Sequence, residues 1–112
     1  MNWIELTNEN QLETIKKISA EQPIVIFKHS TRCSISSMAK NRLERETPVE
    51  NTVFYYLDLL RYRPISNKIA EDFSIAHQSP QILLIRNGEC VYEESHNGIT
   101  MEDIADAVFS AK

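Results

Sequence analysis

The chain has 112 residues, a formal net charge of −4, 42% hydrophobic and 25% charged residues. Those values suit one globular domain spanning 1–112, with a core able to stand without metals or disulfides, and they exclude a disordered chain. Two glycines leave no room for a P-loop or a GxGxxG turn. Two distant cysteines, Cys33 and Cys90, exclude a zinc ribbon or knuckle and a disulfide-dense scaffold, and the net acidity argues against a general nucleic-acid binder.

No apolar run is long enough to span a bilayer. Met1 to Leu6 lacks the basic and apolar regions of a secretory signal. The expected location is cytoplasmic, where thiols stay reduced, so both cysteines read as free thiols.

In chain order, Trp3-Ile4-Glu5-Leu6 is a short strand. Thr7 or Asn8 caps a helix to about Ala20, with Leu12, Ile15 and Ile18 on one face. Ile24-Val25-Ile26-Phe27 is a β-branched and aromatic run that suits a strand buried on both faces. Lys28 to Arg32 reads as a polar connection. Ile35, Met38, Ala39 and Leu43 recur at helical spacing until Thr47-Pro48. Val53 to Leu59 is a second central strand. Pro64 opens a third helix with Ile65, Ile69 and Phe73 inward.

Ser79-Pro80 precedes the apolar strand Ile82-Leu83-Leu84-Ile85. Asn87-Gly88 is the favoured type I′ hairpin pair, which makes Glu89 to His96 an antiparallel partner. Thr100 caps a last helix bearing Met101, Ile104, Ala105 and Val108. Helical crossovers demand parallel pairing and the hairpin demands antiparallel pairing, so the sheet is mixed with helices on both faces. The order β-α-β-α-β-α-β-β-α is that of a thioredoxin-like α/β fold.

Cys33 falls between a buried strand and a helix. Unpaired N–H groups and the helix macrodipole at such a start favour a thiolate over a thiol. From Pro23 to Glu46, five bases (Lys28, Arg32, Lys40, Arg42, Arg45) against two acids (Glu44, Glu46) give +3 in an acidic protein. A free cysteine is more often a small buried hydrophobe. The polar neighbours Ser30, Thr31, Arg32, Ser34, Ser36 and Ser37 argue for exposure instead. Dithiol oxidoreductases carry Cys-x-x-Cys, whose second thiol resolves a mixed disulfide; here Ser36 takes that place. Exchange through Cys33 would then be monothiol, resolved by an external thiol. The Ser36 hydroxyl either donates to the Cys33 sulfur across one turn or is a solvated first-turn serine, and the sequence leaves both open.

The block Phe27-Lys28-His29-Ser30-Thr31-Arg32-Cys33-Ser34-Ile35-Ser36-Ser37-Met38-Ala39 resembles the monothiol bacilliredoxins, thioredoxin-like proteins of the bacillithiol redox system. The likeness continues through Asn41-Arg42-Leu43-Glu44, His77-Gln78-Ser79-Pro80-Gln81 and Asn97-Gly98-Ile99-Thr100. It implies that Cys33 is catalytic and exchanges bacillithiol, as co-substrate, with bacillithiolated proteins. Bacillithiol disulfide reductase would be an indirect partner. No bound cofactor, metal, flavin, membrane or nucleic acid is implied. Arg32, Ser34, Ser36, Ser79 and Pro80 are the expected ligand-binding residues. The resemblance also implies a cis Ser79-Pro80 bond facing the cysteine, with the Ser79 backbone free to pair with a ligand like an added strand.

Cys90 alternates with Val91 and Tyr92 on the return strand and reads as structural. His29, His77 and His96 lack metal-ligand spacing, and His29 reads as a solvated or strand-end residue. Arg61, Arg63 and Lys68 could meet a ligand carboxylate but read first as a solvated stretch. Trp3 should anchor the first strand to the core. Two other functions remain open: an iron–sulfur cluster carrier of the monothiol-glutaredoxin type, and a non-catalytic binding module. The first is disfavoured because the Cys-Gly-Phe-Ser loop is absent.

Overall fold

A computed structural model describes residues 1–110. Its elements are β1 (Trp3–Glu5), α1 (Asn10–Ile18), β2 (Ile24–His29), α2 (Ser34–Arg45), β3 (Val53–Asp58), α3 (Arg63–Phe73), β4 (Gln81–Arg86), β5 (Glu89–Ser95) and α4 (Met101–Ser110), with a 3-10 turn at His96–Gly98. The sheet runs β1-β3-β2-β4-β5. The β1–β3 and β3–β2 pairs are parallel, and the β2–β4 and β4–β5 pairs are antiparallel.

Strand alternation sorts the core into two layers. Ile24, Ile26, Leu57, Leu83 and Ile85 face α1 and α3, where Leu12, Ile15, Ile65, Ile69 and Phe73 complete one cluster. Val25, Phe27, Phe54, Ile82 and Leu84 face α2 and α4 and join Ala39, Leu43, Met101, Ile104 and Val108. The apolar run at 24–27 is therefore fully buried because both of its faces are covered. Trp3 closes the second layer. Its ring stacks on Phe27 at 5.7 Å and meets Phe54 edge-on at 6.0 Å, and its indole N–H donates to Glu44 at 2.8 Å.

Asn87 and Gly88 both have positive φ, 53° and 76°, as a type I′ turn requires. The turn is held by α1: Ser19 accepts from the Asn87 N–H through its carbonyl and from the Gly88 N–H through its hydroxyl. Thr100 caps α4, its hydroxyl accepting from the Asp103 N–H at 3.1 Å. At α1 the Asn8 side chain accepts from the Asn10 N–H at 2.8 Å, which makes it the functional cap.

β2 continues two residues past the apolar run. Lys28 and His29 are buried strand residues rather than part of a polar connection. The ladders on both sides impose this. Lys28 pairs with Leu57 and Gln81, and His29 with Asp58.

Candidate active site at the head of α2

The chain leaves β2 at His29, turns through Ser30–Arg32 and enters α2 at Ser34. Cys33 is the N-cap residue, with extended φ −106° and ψ 120°. Its backbone N–H donates to the Ser30 carbonyl at 3.2 Å, and its carbonyl accepts the first helical bond, from Ser37, at 3.0 Å. No side chain caps the helix. The N–H groups ahead of Ser37 are thus left for the Cys33 sulfur or a ligand, and they favour negative charge. Cys33 is half-buried, and among the described residues no hydrogen bond reaches its sulfur. Arg32 and Ser34 flank it, both exposed.

Ser36 differs from both expectations. It is fully buried, not solvated, and its hydroxyl does not bond the sulfur. Instead its oxygen lies 2.6 Å from His29 Nδ1 and accepts from the Ser30 N–H at 3.0 Å. Of the two readings of His29, the strand-end one holds, since it closes β2, and it is not solvated. The ring is buried, stacked on Phe27 at 5.8 Å, with Tyr56 also at 5.8 Å. Burial lowers its pKa below the ordinary imidazole value. The Lys40 charge adds to that, and Asp58 and Glu44 oppose it. Neutral imidazole is thereby favoured.

Lys28 was counted in the cationic segment, but strand alternation turns it to the opposite sheet face from α2. Its ammonium is wholly buried, donates to the Ser66 carbonyl at 3.1 Å and lies 3.4 Å from His77 Nδ1. Burial pulls its pKa down to about 8. Of the other bases in the segment, Arg32 stands beside Cys33, Lys40 is paired with Glu44 at 2.8 Å, and Arg42 and Arg45 lie in the last turn of α2. Neither the burial of Lys28 nor the His29–Ser36 bond is visible in composition. A basic residue directly continuing an apolar strand run is the one available signal.

The Ser79-Pro80 bond is cis. Lys28 pairs with Gln81, so Pro80 lies one step beyond that pair, opposite the end of β2 from which the Cys33 loop departs. The Pro80 carbonyl accepts from the His96 N–H, while the Ser79 hydroxyl is shut off from solvent without a hydrogen-bond partner among the described residues. That leaves unspent polar capacity beside the proline. Cys90 is elsewhere. It pairs with Ile85, which pairs with Ile24, so it belongs to the end of the sheet where β2 begins. The six residues of β2 put roughly 20 Å of strand between the two cysteine ends. Burial raises the Cys90 thiol pKa, and its sulfur donates to the Tyr92 carbonyl.

A mixed sheet with β2 at its centre, a cis proline ahead of β4 and a cysteine capping α2 together define a thioredoxin-like protein. Solved structures agree. A candidate oxidoreductase with a thioredoxin fold is 30% identical with a TM-score of 0.77, the match covering 93% of this chain and 91% of that one. Thioredoxin from Fasciola hepatica is similar at 16% identity and TM-score 0.72, covering 96% and 98%. The long form of spinach chloroplast thioredoxin f is similar at 15% and 0.73, covering 98% and 86%. These last two support the fold alone. Residues 4–104 match the family model described as monothiol bacilliredoxin BrxC. The chain belongs to the monothiol bacilliredoxin family.

Proposed function

We propose that this protein is a cytoplasmic monothiol thiol–disulfide oxidoreductase that removes bacillithiol from protein mixed disulfides through Cys33. The observation that carries the reading is the half-buried Cys33 at an uncapped helix start, with a serine at the resolving position. The only other cysteine is at the far end of the sheet.

In the first step the Cys33 thiolate attacks the bacillithiol sulfur of a protein–bacillithiol disulfide. The old S–S bond breaks, the target departs as a thiolate and takes a proton from water, and Cys33 holds the bacillithiol. A second bacillithiol thiolate then attacks the bound bacillithiol sulfur. Bacillithiol disulfide leaves, and Cys33 returns as thiolate. A separate reductase must recycle that disulfide. Electrons balance, because each step exchanges one disulfide for another. Within this scheme Arg32 and Ser34 flank the incoming disulfide. The backbone of Ser79 beside Pro80 offers strand-like pairing to the ligand. Ser36 supports the helix start rather than touching sulfur.

The test is intact mass after exposure to bacillithiol disulfide. Wild type and Cys90→Ser are expected to gain the mass of one bacillithiol less two hydrogens, and Cys33→Ser to gain none. A Cys33→Ser protein that is still modified, or a wild type that is not, defeats the proposal.

A further inference from the structure

His29 is a buried titratable group that the exchange scheme does not use. The donor and acceptor capacity of its partner is countable. The Ser36 hydroxyl has one proton and two lone pairs. One lone pair is taken by the Ser30 N–H at 3.0 Å, and the remaining short contact, 2.6 Å, is to His29 Nδ1. Ser36 is fully buried and has no third partner among the described residues. If Nδ1 carried a proton, the Ser36 O–H would have to find another acceptor inside the protein or go unpaired. Cys33 is the N-cap of this helix and Ser36 its third residue, the pair of positions that a capping side chain spans.

We infer that His29 is a positioning residue for Cys33: its neutral Nδ1 takes the hydrogen bond of the Ser36 hydroxyl and so withholds it from the sulfur. This rests on the reading of Cys33 as the reactive thiol. The consequence is a trade. A hydrogen bond to a thiolate stabilises it and lowers its nucleophilicity. With Ser36 held by His29, the Cys33 thiolate keeps only the backbone N–H groups of the helix start, and its attacking power is conserved.

The surroundings of His29 support a neutral ring. Phe27 and Tyr56 pack against it from β2 and β3. The charged groups bearing on it are Lys40 and Glu44 from α2 and Asp58 from β3. Glu44 is already shared between Lys40 and the Trp3 indole, and Asp58 accepts from the Leu60 and Arg61 N–H groups. Neither carboxylate is hydrogen-bonded to the ring.

Two measurements test the inference without bacillithiol, so their failure is distinct from failure of the mixed-disulfide reading. The first is the nitrogen chemical shifts of His29 in wild type at about pH 7.5, where the proton should be on Nε2 and Nδ1 should read as an acceptor. The second is the pH profile of Cys33 alkylation by iodoacetamide in a Cys90→Ser background. His29→Phe keeps a ring against Phe27 and Tyr56 but cannot accept from Ser36. It is expected to lower the alkylation midpoint by about half a pH unit and the limiting high-pH rate roughly 2-fold, as the freed hydroxyl turns to the sulfur. In a Ser36→Ala background the same substitution should move neither quantity. A protonated Nδ1 in wild type overturns the inference, as does a His29→Phe effect that persists in full without the Ser36 hydroxyl. If His29→Phe does not fold, the wild-type tautomer alone decides.

Discussion

Replacing Lys28 with methionine removes a buried ammonium while keeping an unbranched side chain of similar length. The wild-type amine is fully enclosed, with the Ser66 carbonyl and His77 Nδ1 as partners and no carboxylate among its bonds. Burial is what lowers its pKa from 10.5 to about 8. A drop of that size is worth roughly 3 kcal/mol, carried as a destabilisation wherever the folded protein holds the proton. The sign is fixed by proton counting. Between the folded and unfolded values the unfolded chain binds more protons, so stability rises with pH through that window. From about pH 7 to about pH 9.5 the folded wild type should recover roughly 2 kcal/mol on this account alone. Lys28→Met has nothing to recover. It loses the bond to Ser66, worth about 1 kcal/mol, and gains relief from the buried charge. It should therefore match or exceed wild type near neutrality and lose about 2 kcal/mol of relative standing by about pH 9.5. Urea denaturation of both proteins across that range measures the difference, and titrations of Cys90 and the tyrosines cancel in it. The His77 pKa, held down by burial and then by the Lys28 charge, should move up toward its ordinary value in the variant. Parallel stability profiles for the two proteins would refute the reasoning.

Three further outcomes are expected. Ser36→Cys should convert the site to Cys-x-x-Cys. After bacillithiol disulfide it should show a two-hydrogen loss where wild type shows the adduct, because an internal thiol acts at high effective concentration; an adduct persisting in both would mean that position 36 cannot reach Cys33. In Cys33→Ser protein, Cys90 should alkylate more slowly at about pH 8 than an unhindered model thiol, since burial raises its pKa; equal rates would contradict the burial. Thr100→Ala should cost about 1 kcal/mol in denaturant unfolding through loss of the α4 cap, with adduct formation unchanged; an unchanged midpoint would show that the cap contributes nothing.

Features set by local chemistry were legible in the sequence. The Ile24–Phe27 run, the Asn87-Gly88 turn, the Thr100 cap and the place of Cys33 at a helix start each follow from a few neighbouring residues. The cis bond before Pro80 was legible only through family resemblance, because a single X-Pro pair does not declare its isomer. What escaped depends on partners distant along the chain. Lys28 and His29 carry polar side chains, and their inclusion in β2 is imposed by β3, which pairs with both, and by β4, which pairs with Lys28. Ser36 looks like any first-turn serine until the end of β2 brings an imidazole to 2.6 Å from it. The cationic count around Cys33 is reduced by one for the same reason, since period-two alternation sends Lys28 to the opposite sheet face.

The placement of β2 between β3 and β4 has a consequence for how the chain is made. Synthesis delivers β1, α1, β2, α2 and β3 before any of β4 exists. Throughout that interval one edge of β2 has no backbone partner, and residues 24–27 along it are apolar on both sides. Such an edge is a template for any other extended strand, including one from a second nascent copy. The β4–β5 hairpin is therefore more than the last piece of the sheet. Its arrival covers the open edge of β2. A chain stopped after α3 should accumulate in the insoluble fraction, although it would already carry Cys33 and the entire α2 segment.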